Sequence, residues 1–152
     1  MKKALFALFF TGIALTAFPL EKKDFDKIVD FSLDIKGISN IVQDPRFTPG
    51  SRAVVFDGSV ANILVHSPDP EDFVAEIEVA GGEWEAADSV SLFRVFVYAL
   101  GPEFAERING PGADIGRSSR LLVTGVIHSV YTDENDGKNY AVIEAYHIRV
   151  IP

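Results

Sequence analysis

From residue 52 onward, apolar and polar side chains alternate in long stretches separated by short polar breaks. Residues 53–65 (AVVFDGSVANILV), 73–79 and 90–100 are the first three such stretches. A period of two puts successive side chains on opposite faces, so each predicts a strand. In the second stretch Phe73, Ala75, Ile77 and Val79 share one face, and Glu76 and Glu78 share the other. Gly81-Gly82 is expected to begin the turn into the third stretch, making an antiparallel hairpin with one wet face. The third, SVSLFRVFVYAL, is apolar on both faces except at Arg94, the pattern of a central, covered strand. Gly58, isolated within the first, predicts a bulge or sharp bend.

Gly101-Pro102 stops the third strand. Residues 102–108 (PEFAERI) carry proline at the first helical position, acids in the first turn and Asn109-Gly110 at the end, which predicts a short helix. A glycine-rich loop leads to two last strands, 121–131 and 139–151, joined by a polar turn over 133–137 (DENDG). Pairing these two about Asn135 sets Ile127 opposite Ile143, Gly125 opposite Ala145 and Ser129 opposite Ala141. That face is apolar and small, as the interior of a narrow barrel requires. The other face holds Thr124, Val126, His128, Val130, Tyr140, Glu144 and Tyr146, facing solvent or covered by residues 24–36.

The N-terminal part reads differently. Lys2 and Lys3 precede an uncharged run over residues 4–17 (ALFALFFTGIALTA), the layout of an export signal cleaved near Ala17. A membrane anchor is the alternative, but the run is shorter than the about 20 residues that spanning requires, so no stable membrane insertion is expected after processing. Residues 18–50 form an extension. A helical turn is expected over Asp24 to Ile28, and Val29, Phe31, Leu33 and Ile35 alternate with Asp30, Ser32, Asp34 and Lys36 as in a strand. Asp44-Pro45 and Thr48-Pro49-Gly50 close the segment as loop.

The order of elements from residue 52 is bent strand, strand, strand, short helix, strand, strand. Carried by AVVFDGSVANILV, PEFAERI, RLLVTGVIHSVY and NYAVIEAYHIRVI, the stretch 52–151 resembles small exported bacterial OB-fold proteins. The resemblance implies a mainly β fold, a five-stranded antiparallel barrel with one short helix between its third and fourth strands. Another small β-barrel or a sandwich is the alternative. It also implies a cleft across the second and third barrel strands, flanked by the loops SPDPEDF and TDENDGKN. Those loops supply Asp69, Glu71 and Asp72 on one side and Asp133, Glu134 and Asp136 on the other, with Trp84 and Tyr98 as rings for stacking.

The chain holds 22 acidic and 14 basic side chains, a formal charge of −8. Loss of Lys2 and Lys3 with the signal leaves 12 basic side chains and a charge of −10. Such a surface repels phosphate and anionic lipid, which argues against a nucleic-acid partner. There is no cysteine, hence no disulfide, lipidation or thiol chemistry. Of the three histidines, His128 and His147 are expected opposite Val142 and Val123, roughly 17 Å apart along the sheet at the usual strand rise. His66 is read as structural. No G-x-S-x-G elbow occurs, and a calcium loop begun at Thr132 meets Ile143 where a bidentate glutamate is needed. No metal, cofactor or catalytic residue is therefore expected. The expectation is a non-catalytic periplasmic or secreted binding module for another envelope protein, with a glycan- or cation-binding module and an envelope enzyme as the second and third readings.

Overall fold

The computed structural model describes residues 29–50 and 52–152. The export-signal reading of residues 1–17 and the helical turn expected over residues 24–28 lie outside them. Six strands and two helices follow in the order β1 (Val29–Asp30), α1 (Ile35–Ile41), β2 (Ala53–Ser67), β3 (Val74–Ala86), β4 (Ser89–Leu100), α2 (Pro102–Asn109), β5 (Arg120–Thr132) and β6 (Asn139–Ile151). Neighbouring strands run β1-β2-β3-β4-β6-β5, and β5 returns to pair with β2. The wall formed by β2 to β6 is thus a closed five-stranded barrel with a helix between its third and fourth strands, the OB architecture. Among its neighbouring pairs only β4 and β6 run parallel, at Phe96 to Tyr98 against Val142 to Glu144.

Closure depends on β2 serving two neighbours. Its first half pairs with β5 through Ser59 opposite Arg120, and its second half pairs with β3 from Ser59 opposite Ala80. Gly58 stands at this change of partner. A Cβ there would lie 2.6 Å from Val79 Cγ1 and 3.0 Å from the Ala80 carbonyl oxygen, so the strand can pass this close only as glycine.

Alternate residues fill the interior: Ala75, Ile77 and Val79 of β3, Val95, Val97 and Ala99 of β4, and Ala141 and Ile143 of β6 are all completely buried. Helices plug the two ends. Helix α2 starts at Pro102, follows Gly101 at φ 93°, and buries Phe104 and Ala105. Arg107 in its last turn pairs with Asp114 at 2.8 Å and donates to the Ile148 carbonyl, tying the helix to β6. Helix α1 closes the opposite end, near Arg94 and Asn139, burying Ile35, Ile38 and Val42.

Four local expectations need correction. The strand expected over residues 29–36 stops at Asp30, because the Asp34 side chain accepts from the Gly37 N–H at 2.7 Å and caps a helix. Ile35, Ile38 and Val42 then share a helical face, a spacing that the upstream alternation conceals. Gly81-Gly82 does not turn the chain: β3 continues to Ala86, and a Cβ on Gly81 would sit 2.5 Å from Ile35 Cγ2, so this glycine admits α1. The outer face of β4 is not covered. In the last hairpin Ile127–Ile143 and Gly125–Ala145 pair as expected, but Ser129 faces Val142 and His147 faces Thr124, since both strands carry an irregularity near these positions.

Candidate functional site

An open depression of about 320 Å³ lies on the outer face of β3 and β4. It is lined by His66, Glu76, Phe96, Tyr98, Tyr131, Asp133 and Val142. Strand pairing explains the assembly: Glu76 is opposite Tyr98, Glu78 is opposite Phe96, and Phe96 is in turn opposite Val142 of β6. Residues directly opposite one another in a sheet share a face.

Two irregularities complete the ring of side chains. In β5 the register shifts between Ile127 and Ser129, leaving His128 as the extra residue. A bulge inverts the facing of everything beyond it. Val130, opposite the buried Ala141, therefore turns inward, and Tyr131, which strict alternation from Ile127 would aim at the core, points out over the depression. In β2 the register shifts between Val65 and Ser67, with His66 at the break and pointing toward Tyr98.

The rings form two neighbouring sets on this face. His66 and Tyr98 are parallel with centroids 6.0 Å apart, and Phe96 meets Tyr131 and Tyr140 edge-on at 6.0 and 5.8 Å. The Arg94 guanidinium stands 4.9 Å from the Tyr140 ring centre, donates to its hydroxyl and pairs with Glu78 at 3.2 Å. Offset and edge-on geometries suit the aromatic quadrupoles.

The polar atoms of the depression are mostly acceptors. Tyr98 donates its hydroxyl hydrogen to Glu76 Oε2 at 2.7 Å, and His66 Nε2 lies 3.2 Å from that same oxygen. Burial, reinforced by the Glu76 charge, pushes the Tyr98 hydroxyl far above its ordinary range, so it remains a donor at physiological pH. Asp133 Oδ1 accepts from the backbone and side-chain nitrogens of Asn135, shaping the β5–β6 turn. Behind it, Asp136 accepts from the Lys138 N–H and the Tyr140 hydroxyl, which hold its carboxyl below the usual range. Among the described residues no group of three histidine, aspartate or glutamate side chains has the arrangement to hold a metal ion.

Of the residues expected at the cleft, Tyr98 and Asp133 come together in the depression. Asp136 supports it from behind, and Glu134 is exposed at the tip of the turn. Asp69, Glu71 and Asp72 are exposed on the β2–β3 loop and do not line it; Asp69 accepts from the Glu71 N–H within that loop. Trp84 is 72% exposed on the part of the β3–β4 hairpin that runs past the barrel, opposite Val90. His66, Glu76, Phe96, Tyr131 and Val142 escaped the sequence reading. The alternation Arg94, Phe96, Tyr98 was the available signal, because large amphipathic side chains at every second position suit an outer surface better than a narrow interior.

No family model matches the chain, and no curated protein sequence matches it. Solved structures do. The chain is similar to the small single-stranded DNA-binding protein from Streptomyces coelicolor, with 17% identity, 65% of this chain and 93% of that one covered, and a TM-score of 0.49. It is similar to the Plasmodium falciparum SSB, solved in complex with ssDNA, at 12% identity, with 72% and 99% covered and a TM-score of 0.48. The single-stranded DNA-binding protein from Thermus aquaticus follows at 19% identity, 66% and 50% covered, and a TM-score of 0.45. These neighbours are OB-fold single-stranded DNA-binding proteins. The OB resemblance holds, and nothing in these neighbours supports its restriction to exported bacterial proteins. The expectations of an envelope-protein partner, a periplasmic or secreted location and no nucleic-acid partner are corrected accordingly. Net charge sums the whole surface and does not say which side chains line one face of the barrel.

Proposed function

We propose that this chain is a non-catalytic module that binds single-stranded nucleic acid by stacking bases on the ring-lined depression. One observation carries the reading. The depression lies across the second and third barrel strands beside the loop between the fourth and fifth, where OB barrels take oligonucleotides and oligosaccharides, and its walls are His66, Phe96, Tyr98 and Tyr131. Base–ring stacking contributes about 1–3 kcal/mol per base and tolerates any base, since each has a π-face.

The charge sets the mode of binding. Glu76 and Asp133 line the depression, and Arg94, the cation next along the face, is held by Glu78 and Tyr140. Binding is therefore led by bases, with few phosphates neutralised, and the affinity falls only shallowly with salt. Tyr131 is the ring to remove, because it is partly exposed and meets Phe96 only by its edge. Fluorescence anisotropy with a labelled single-stranded oligonucleotide of mixed sequence tests the reading. Tyr131→Ala should weaken binding about 5- to 150-fold, the equivalent of one stacked base. Failure of the native protein to bind at low salt, or an unchanged affinity in Tyr131→Ala, would overturn it.

A further inference from the structure

Resting on that reading, we infer that the depression selects bases by their hydrogen-bond donors, taking guanine ahead of thymine or uracil. Tyr98 spends its only hydrogen on Glu76 Oε2. His66 Nε2 faces the same oxygen, and a carboxylate only accepts, so in the neutral ring this nitrogen carries the hydrogen and Nδ1 is left as an acceptor. Among the described residues, Glu76 Oε1 and Asp133 Oδ2 receive no hydrogen bond. Phe96 and Val142 have no polar side-chain atoms to add. Apart from the Tyr131 hydroxyl on the rim, a base entering here meets acceptors rather than donors.

The bases differ in how well they answer that. Guanine presents N1–H and the N2 amino group side by side, two donors for the open oxygens Glu76 Oε1 and Asp133 Oδ2. Adenine and cytosine each offer one amino group beside a ring-nitrogen acceptor. Thymine and uracil offer a single N3–H between two carbonyl oxygens, which face the carboxylates with like partial charge. Stacking alone ranks the bases weakly, so a clear preference for guanine over thymine must come from these acceptors.

The test compares a thymine-only single-stranded pentamer with the same pentamer carrying one central guanine, which is too short in guanine to form four-stranded structures. Anisotropy should give at least about tenfold tighter binding for the guanine probe, the ordinary worth of a bidentate base contact. E76Q and D133N, checked for folding by thermal melts, remove the charge while keeping the shape; the guanine advantage should shrink in at least one of them, with thymine binding unchanged or improved. Equal affinity for the two probes, both weakened by Tyr131→Ala, overturns the preference and leaves the stacking reading standing. An advantage that persists in both carboxylate variants overturns the assignment to these acceptors. Binding of neither probe overturns the preference and the function together.

Discussion

The two faces of β4 are made from alternate residues of one strand and do different work. Val95, Val97 and Ala99 point inward, are fully buried and belong to the apolar core. Arg94, Phe96 and Tyr98 point outward, stay partly exposed, and are fixed by a lattice of polar and ring contacts to Glu78, Glu76, Tyr131 and Tyr140. Burial of small branched side chains gives the inner face its stability, at roughly 25 cal/mol per Å² of apolar surface removed from water. The outer rings keep surface open to a ligand and gain less from folding. Stability and recognition are thereby separated by a single residue step.

That separation breaks first where the interior is emptied. Ile77, completely buried opposite Val97, should cost about 2–5 kcal/mol when changed to alanine, through lost transfer energy and the cavity left behind. Tyr98→Phe on the other face removes one hydrogen bond from a partly exposed group and should cost about 1 kcal/mol or less. Denaturant unfolding of both variants measures the contrast. Equal losses would mean that the outer face is part of the core.

Enlarging the interior comes next. A Cβ on Gly125 would lie 2.3 Å from the Glu144 carbonyl oxygen and 2.8 Å from Ile143 Cγ2, so backbone must move to admit it. Gly125→Val is expected to cost about 3 kcal/mol, the upper end for overpacking, whereas Thr124→Val on the outer face should stay below about 1 kcal/mol. Thermal melts of the pair decide whether the barrel is closed along this line. An unaltered melting temperature for the glycine variant would show an open wall.

The smallest expected effect is a pH dependence away from both faces. The Arg107 guanidinium bonded to Asp114 holds that carboxyl below its ordinary 3.8. A depressed folded value means stabilisation that is present above the ordinary value and lost as pH falls through the lower one. Asp114→Asn should therefore be less stable than the native chain at neutral pH, and the gap should narrow below about pH 4. A constant gap across that range would assign the effect to shape rather than charge.

The sequence made the barrel legible where period and punctuation agreed. Residues 53–65 and 90–100 and the helix after Pro102 fall within one or two residues of the observed elements. Gly125 and Ile127 also pair as expected. Legibility failed where two periods overlapped, since Val29, Phe31, Leu33 and Ile35 alternate like a strand although Ile35 begins a helix. It failed again at Gly81, whose role is a close approach of α1 that only the tertiary structure creates. Tyr98 and Asp133, named from the sequence, line the depression, whereas Tyr131 reaches it only because β5 bulges at His128, and bulges leave no mark in simple alternation.

The claim that the outer face of β3 and β4 is the recognition surface is tested most directly by mapping where a ligand touches. Titrating a short single-stranded oligonucleotide into isotopically labelled protein and following amide and aromatic resonances should move His66, Glu76, Phe96, Tyr98, Tyr131 and Asp133 together, with Asp69, Glu71 and Asp72 little affected. Shifts confined to the exposed loops or to α1, or no shifts at millimolar ligand concentration, on the order of the weakest specific affinities, would contradict the account.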